Sequence, residues 1–274
     1  MTQFDGSAHS AEESAVLVGG DDGVRTLTLN RPGAFNSFNA ELKAALLSAV
    51  RAAAEDESVR ALVITGSGKA FCAGQDLKEH LARVAADDPA VAQTVSDFYN
   101  PLITAVTGMR KPVLAAVNGV AAGAGVALAL ACDLRIAAAS ASFTMAFGQV
   151  ALSADSGASY TLPRFVGAGR AARMMLLGER VPADEALRIG LVEEVAPDDA
   201  FADRVTEVAR RLADGPTGAF GWIKASLAYG ATHDLADSLD FENGAQMACF
   251  ASLDHREALD AFVAKRPPRF GPIR

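Results

Sequence analysis

The segment Gly123-Ala124-Gly125 is the first candidate for a functional site in this sequence. Gly123, Ala124 and Gly125 follow a short apolar run and open an Ala/Leu-rich segment of high helix propensity. The first N–H groups of a helix have no partner within the helix and lie at the positive end of its dipole. Small residues also let a ligand approach the backbone closely. The segment therefore predicts an oxyanion hole or a phosphate site, unless the small residues serve only tight packing of the helix on a strand.

Sequence motifs for other chemistries are incomplete. Residues 123–125 lack the third glycine of a dinucleotide-binding fingerprint, and residues 65–69 lack the first glycine of a P-loop and the Ser/Thr after its lysine. The chain has neither a GxSxG nucleophile elbow nor an HExxH zinc motif. The histidines lie in polar or helical contexts without the spacing of metal ligands: His9, His80, His233 and His255. We therefore expect no metal site and no serine hydrolase or zinc protease activity.

The composition is that of an acidic chain with a high apolar content. Its 274 residues are 50% hydrophobic and carry a formal net charge of -8. This length supports a large core, and the negative charge argues against nucleic acid or an anionic membrane as the main partner. Three widely spaced cysteines in apolar surroundings, Cys72, Cys132 and Cys249, indicate reduced thiols. No apolar stretch is long and unbroken enough to span a membrane, so we expect a soluble, cytoplasmic protein.

The elements that must position these residues alternate between strand and helix patterns, which predicts an α/β fold with mostly parallel strands. Asn39 is the predicted N-cap of a helix that ends near Glu55, and everything after Ala200 is predicted to be helical. Residues 16–18 and 24–29 are predicted to form a β-hairpin around Asp21-Asp22-Gly23. Further strands are predicted at residues 59–65, 113–117, 134–138 and 191–195, with a pair of β-like runs at 143–150. The chain divides into a flexible N-terminus (1–14), a core domain (15–216) and a helical C-terminal region (217–274) that packs on a neighbouring subunit.

Three motifs, taken in order, resemble the crotonase (enoyl-CoA hydratase/isomerase) family. They lie at residues 69–77, 115–125 and 143–167. The resemblance covers nearly the whole chain from about Val16 and implies a crotonase-like spiral of β-β-α units with a helical trimerisation region at the C-terminus. Three further segments are most similar to the branch of the family that isomerises 1,2-epoxyphenylacetyl-CoA: residues 98–102, 145–147 and 261–266.

The resemblance also implies roles for particular residues. The backbone N–H groups of Gln75 and Ala124 would form the oxyanion hole around a thioester carbonyl, so their side chains are expected to be free to vary. The adenine end of coenzyme A would meet the backbone near Ala34 and Ala73, with Lys265 as a candidate for its phosphates. Arg266 and Lys69 are further candidates for the phosphates, and an ordinary surface charge is the alternative for each of the three basic residues. Coenzyme A would enter as part of the substrate, with no separate cofactor.

The carboxylates decide which reaction the family resemblance implies. Hydration is served in this family by two glutamates, whose positions here are occupied by Ala127 and Phe147. Neither side chain accepts a proton. One carboxylate, Asp155, stands where the isomerases of the family carry an aspartate, and an apolar pocket would raise its pKa towards the working pH. Phe147 and Tyr99 would line that pocket around an apolar acyl group, unless both only pack in the core, and Asp155 is otherwise an N-cap of the following helix.

These expectations lead to an acyl-CoA isomerase that acts through an enolate, with one aspartate as proton shuttle, on an enoyl-CoA or an aromatic-ring epoxide thioester. Two alternatives stay open: an enoyl-CoA hydratase, and an acyl-CoA-binding protein without catalytic activity. The expected assembly is a homotrimer or a dimer of trimers.

Overall fold

A computed structural model describes residues 14–271. Within this range it contains ten strands: β1 (Val16–Gly19), β2 (Val24–Leu29), β3 (Ala61–Gly66), β4 (Ala70–Cys72), β5 (Val113–Val117), β6 (Val120–Ala122), β7 (Leu134–Ala138), β8 (Ser142–Thr144), β9 (Val181–Pro182) and β10 (Glu194–Ala196). The predicted flexible N-terminus lies outside the described residues, apart from Ser14.

Twelve α-helices complete the described part of the chain: α1 (Ala40–Glu55), α2 (Leu77–Ala85), α3 (Ala90–Thr94), α4 (Asn100–Thr107), α5 (Ala124–Ala131), α6 (Ala158–Val166), α7 (Ala168–Leu177), α8 (Ala183–Arg188), α9 (Phe201–Ala213), α10 (Thr217–Gly230), α11 (Leu235–Phe250) and α12 (Leu253–Val263). A π-helical turn, Val95–Tyr99, joins α3 to α4. None of the described helices combines the length and the apolar character that crossing a membrane requires.

The strands form two sheets. The larger has the order β1-β2-β3-β5-β7-β10 and the smaller has the order β4-β6-β8-β9. Strands pair in parallel except for the β1–β2 hairpin and the β8–β9 pair. The predicted hairpin and the mostly parallel α/β fold are therefore confirmed.

A β-β-α unit repeats along the chain. In each unit one strand joins the larger sheet, the next joins the smaller sheet, and helix follows: β3 with β4, β5 with β6, and β7 with β8. Because successive units pair in parallel and side by side, the segments that leave β4, β6 and β8 all emerge at one edge of the smaller sheet. The crotonase-like spiral expected from the sequence is the observed fold.

Helix α1 follows the pattern expected from its sequence. The Asn39 side chain accepts a hydrogen bond from the Leu42 N–H at 2.9 Å and caps the helix. Leu42, Leu46 and Val50 are fully buried on one face, packed against the larger core cluster. Lys43 is buried on the same helix, which the periodicity did not predict.

Three strand predictions need correction. The run 143–150 is not a pair of strands, because only Ser142–Thr144 is extended and Ala146–Val150 forms a 3-10 helix. The last strand begins three residues later than expected, at Glu194. The short strand β6, which lies between β5 and α5, was not predicted. Alanine has high helix propensity, but pairing with β4 and β8 holds residues 120–122 extended.

The C-terminal helices α10 to α12 leave large apolar side chains exposed. Among them are Leu227, Leu235, Met247, Phe250 and Phe262. The division of the chain at residue 217 and the packing of this region on another subunit stay predictions.

Candidate active site

The expected oxyanion-hole residues meet at the carboxyl edge of the smaller sheet. Gln75 follows β4 by three residues, and Ala124 follows β6 by two. Asp155 belongs to the segment between β8 and α6. Since β4, β6 and β8 are parallel neighbours, the fold directs these three segments to the same edge.

The loop after β4 touches the first turn of α5. A Cβ placed on Gly74, whose φ is +83°, would lie 3.4 Å from the Ala124 nitrogen, and one on Gly125 would lie 2.1 Å from the Cys72 carbonyl oxygen. A contact of 2.1 Å is far below van der Waals distance, so glycine is required at position 125 for the two loops to meet. The small residues of the 123–125 motif therefore do serve close packing, and that packing brings two backbone segments together.

Both backbone N–H groups are left free by this arrangement. Phe38 pairs with the loop as an isolated parallel bridge, in which its N–H donates to the Gly74 oxygen at 2.7 Å and its oxygen accepts from the Asp76 N–H at 3.1 Å. The N–H of Gln75 itself points away from that bridge. Ala124 is the first residue of α5, so its N–H has no acceptor within the helix. No protein group of residues 14–271 accepts a hydrogen bond from either N–H.

The side chain of Gln75 has a hydrogen-bond partner that the sequence analysis did not predict. The Tyr99 hydroxyl donates a hydrogen bond to Gln75 Oε1 at 2.7 Å. Tyr99 is only 2% exposed, and its ring packs edge-on against Phe38 and Phe98. The contact links the π-helical turn to the loop that carries the candidate N–H donor.

Asp155 is a half-buried carboxylate without an ion pair among the described residues. Its Oδ1 accepts a hydrogen bond from the Ser156 hydroxyl at 2.8 Å, and its main-chain oxygen accepts one from the Ala158 N–H at 2.9 Å. The N-cap of α6 is Gly157, and no side chain caps this helix. The alternative that Asp155 serves as the helix cap is therefore wrong, and its carboxylate keeps acceptor positions for other partners.

Burial and two neighbours set the proton affinity of Asp155. Burial raises its pKa above the usual value, while the Ser156 hydrogen bond and the charge of Lys43 lower it. Burial also raises the pKa of Tyr99, and the nearby charge of Asp155 adds to this effect. Burial raises the pKa of the Cys72 thiol to about 12, so this cysteine of the loop after β4 is no thiolate nucleophile at neutral pH.

The positions of the two family glutamates are apolar in the structure. Ala127 is fully buried in α5, and Phe147, 8% exposed, lies in the 3-10 helix after β8. Phe147 and Tyr99 both belong to the larger core cluster, so core packing holds for both, and their contact with an acyl group stays a prediction. Two carboxylates near α2 are engaged elsewhere: Asp76 with Arg31 at 3.0 Å and Glu79 with the Ala40 N–H.

Two of the three residues expected to meet coenzyme A are neighbours. Ala73 donates its N–H to the Phe35 oxygen at 3.0 Å, and Ala34, the last residue of a 3-10 helix, immediately precedes Phe35.

Lys265, the third of these residues, is exposed two residues after the end of α12. A few residues further on, the main-chain oxygens of Phe270 and Gly271 accept hydrogen bonds from Arg60, which lies at the amino end of β3. The two alanines lie after the carboxyl ends of β2 and β4, and no hydrogen bond among residues 14–271 joins Lys265 to either of them. Arg266 is paired with Glu257 at 2.6 Å.

Lys43 is a charged residue of this region that the sequence analysis missed. It lies on the buried side of α1, and its Nζ is 5.1 Å from the centre of the Tyr99 ring. A signal was present, because Lys43 stands three and seven residues before Leu46 and Val50 on the apolar face of the helix.

The fold and this edge of the smaller sheet define the class of the protein. The model of the family described as enoyl-CoA hydratase/isomerase matches residues 19–272. The chain belongs to this family, whose enzymes act on acyl-CoA thioesters.

Particular relatives are similar over almost their full length. The 1,2-epoxyphenylacetyl-CoA isomerase of Escherichia coli (strain K12) is 43% identical, over 91% of this chain and 95% of the relative. A Rhodobacter capsulatus protein named "Probable enoyl-CoA hydratase" is 42% identical over the same shares. A crystal structure from Mycobacterium abscessus, assigned to enoyl-CoA hydratase/isomerase, superposes with a TM-score of 0.90 at 43% identity, covering 94% of this chain and 100% of that one.

Proposed function

We propose that this chain is an acyl-CoA isomerase that works through a thioester enolate, with Asp155 as its proton shuttle. One observation carries the proposal: Asp155 is a half-buried carboxylate without an ion pair among residues 14–271, and its segment leaves the same sheet edge as the two N–H groups, while Ala127 and Phe147 are apolar. A hydratase of this family needs two carboxylates to orient and activate water. One carboxylate suffices to move a proton.

The proposed reaction begins when the thioester oxygen accepts hydrogen bonds from the Gln75 and Ala124 N–H groups. Asp155 then removes a proton from carbon, the C–H electron pair enters the thioester as an enolate, and the two N–H groups stabilise its negative oxygen. Asp155 returns a proton to a different carbon, and the enolate collapses to the thioester. No atom is gained or lost. Each N–H donor of such a hole contributes about 2.7–4 kcal/mol to transition-state stabilisation.

The substrate we propose is a CoA thioester with an apolar acyl group, either an aromatic-ring epoxide or an enoyl chain. The ring epoxide is favoured because the relative that is 43% identical is named a 1,2-epoxyphenylacetyl-CoA isomerase. The aromatic rings of Tyr99 and Phe147 are proposed to line the pocket around either group. Ala34, Ala73 and Lys265 are proposed to contact coenzyme A, which is part of the substrate.

The test is turnover in deuterated water followed by mass spectrometry, with the aromatic epoxide thioester and a 3-enoyl-CoA as substrates. Isomerisation leaves the mass unchanged except for deuterium taken up at carbon. Asp155→Asn is expected to lose turnover by about 10²–10⁴-fold, whereas Asp203→Asn, an exposed aspartate in the first turn of α9, should act like the wild type. Full turnover by Asp155→Asn would rule the mechanism out.

A second candidate is an enoyl-CoA hydratase, favoured by the relative of that name at 42% identity. Incubation with crotonyl-CoA separates the two functions, because hydration adds the mass of one water. Efficient hydration would overturn the isomerase proposal. Binding of all these thioesters, measured by calorimetry, without any product would instead support the non-catalytic alternative.

We also propose that the protein is a cytoplasmic homotrimer or dimer of trimers. The exposed apolar side chains of α10 to α12 support association through the C-terminal region. Light scattering coupled to size-exclusion chromatography measures the mass of the assembly, and a monomer at micromolar concentration would contradict this proposal.

A further inference from the structure

The Tyr99 hydroxyl is a buried polar group whose partner lies in the loop after β4. Tyr99 is 2% exposed, and its hydroxyl donates a hydrogen bond to Gln75 Oε1 at 2.7 Å. Burial raises the pKa of Tyr99, so the hydroxyl keeps its proton and remains a donor at neutral pH. A buried hydroxyl without an acceptor is costly. This hydrogen bond therefore holds the Gln75 side chain against the π-helical turn.

The ring of Tyr99 is fixed by its own neighbours. Its centre lies 5.1 Å from that of Phe98 and 5.8 Å from that of Phe38, and both contacts are edge-on. The Lys43 ammonium lies 5.1 Å from the centre of the Tyr99 ring. The same ammonium donates to the Thr94 hydroxyl, at the residue immediately before the π-helical turn. Tyr99 is therefore a rigid anchor for the group that it binds.

The loop after β4 is held on both sides of Gln75 through its main chain. The Gly74 oxygen accepts from the Phe38 N–H at 2.7 Å, and the Asp76 N–H donates to the Phe38 oxygen at 3.1 Å. Gln75 takes no part in these bonds. Among residues 14–271, its only hydrogen bond is the one from Tyr99 to its side chain.

The peptide that joins Gly74 to Gln75 carries the candidate donor of the oxyanion hole. Because a peptide is planar and trans, its Gln75 N–H points opposite to its Gly74 oxygen. The Phe38 N–H holds that oxygen, and Tyr99 holds the side chain that follows the N–H. Tyr99 also packs on the ring of Phe38. Both restraints on the direction of the N–H therefore meet at Tyr99.

We propose that Tyr99 is a positioning residue of the oxyanion hole: its hydroxyl, acting through the Gln75 side chain, holds the Gln75 N–H in the direction of the thioester oxygen. This inference rests on the proposed function for the identity of the ligand. Tyr99 needs no contact with the substrate for this role. The Gln75 side chain gains a function that an oxyanion hole made only of backbone groups would not require.

The alternative is that the hydrogen bond between Tyr99 and Gln75 only stabilises the packing of the π-helical turn. In that case its loss lowers the stability of the protein and leaves the oxyanion hole unchanged. A decisive measurement therefore has to report on the thioester carbonyl itself.

The first test is the ¹³C NMR signal of phenylacetyl-CoA labelled at its thioester carbon and bound at saturation. Hydrogen bonds to the carbonyl oxygen polarise the C=O bond and move this signal downfield from its position in the free thioester. Tyr99→Phe and Gln75→Met keep both N–H groups, yet each should lose up to about half of this displacement, the share of one of two donors. Tyr229→Phe makes the same change in α10 and should keep the wild-type signal. A wild-type signal in either Tyr99→Phe or Gln75→Met would overturn the proposal.

The second test compares kcat and KM for exchange of the α-hydrogen of phenylacetyl-CoA in deuterated water. Tyr99→Phe should lower kcat about 10–10²-fold, because a donor displaced by a fraction of an ångström loses alignment with the enolate oxygen. KM should change less, since the hydrogen bond is stronger to the enolate than to the ground-state carbonyl. Because Tyr99 acts through Gln75, the variant that combines Tyr99→Phe with Gln75→Met should be no slower than the slower single variant. A loss equal to the product of the two single losses would overturn the proposal.

The outcomes separate this inference from the proposed function. A wild-type signal at the position of the free thioester would mean that no oxyanion hole binds the carbonyl, and the proposed function would fail together with this inference. A displaced wild-type signal that either variant keeps would exclude the role of Tyr99 alone. Full turnover by Asp155→Asn, with carbonyl signals that move as expected, would remove the proton shuttle and leave the role of Tyr99 intact. Should Tyr99→Phe not fold, Gln75→Met still tests the same hydrogen bond from its partly exposed end.

Discussion

Replacing Lys43 by methionine should change how the stability of the protein depends on pH. Burial lowers the pKa of Lys43 from 10.5 to about 8. At about 1.4 kcal/mol per unit, the charged form is therefore destabilised in the folded chain by about 3 kcal/mol. Between these two pKa values the unfolded chain binds more protons than the folded one, so the wild type gains stability as pH rises through this window.

The magnitude follows from the two pKa values. Between about pH 7 and about pH 9.5 the wild type should gain about 2 kcal/mol in its free energy of unfolding relative to Lys43→Met. At neutral pH, Lys43→Met removes the destabilisation of the buried charge, but it also loses the Thr94 hydrogen bond and the cation–π contacts, each of about 0.5–2 kcal/mol. The net gain in the free energy of unfolding at neutral pH is therefore smaller than the electrostatic contribution alone.

The assay is urea unfolding of both proteins at several pH values, followed by circular dichroism at one protein concentration. Subtracting the two curves cancels all groups that titrate alike in both chains. Lys78→Met removes an exposed lysine of α2 and serves as the matched control. A constant difference between wild type and Lys43→Met across this pH range would refute the claim that burial destabilises the Lys43 charge.

Further predictions concern the backbone donors and the contacts that hold them. Ala124→Pro removes one N–H at a helix position where proline is tolerated, so kcat should fall about 10²–10³-fold in steady-state kinetics. Ala124→Ser keeps the N–H and should retain the wild-type kcat. Gly125→Ala forces its Cβ against the Cys72 oxygen, which should lower the unfolding free energy by about 1–3 kcal/mol, and an unchanged melting temperature would contradict the close approach. Tyr99→Phe removes the hydrogen bond to Gln75, which should reduce stability by about 1 kcal/mol and lower kcat more than it changes KM.

Local sequence signals determined much of the fold. Asn39 caps α1 as expected, because a short polar side chain at that position satisfies a free N–H of the first turn. The hairpin 16–29 forms around Asp21-Asp22-Gly23 as predicted. Strand β6 was missed because its alanines favour helix locally, and it is extended only through its pairing with β4 and β8.

In the candidate site, too, some residues were predicted from the sequence and others were identified only in the structure. Gly125 and Asp155 were singled out from residue types and family motifs. The sequence did not predict that the Gln75 side chain binds Tyr99, because Tyr99 is 24 residues away in sequence and reaches Gln75 only through the packing of the π-helical turn. The N-cap alternative for Asp155 was excluded only by the position of Gly157 at the start of α6.

The sequence by itself determined that this chain is an α/β protein with the motifs of the enoyl-CoA hydratase/isomerase family. It also determined that the two carboxylates used for hydration in that family are absent from their usual positions. These properties are local, because they depend on which residue stands at which position. The convergence of the Gln75 and Ala124 loops, the half-buried state of Asp155 and the burial of Lys43 were decided by tertiary structure. Proton affinity and free N–H groups depend on what the rest of the chain excludes or places nearby, and that environment exists only once the sheets and helices have packed.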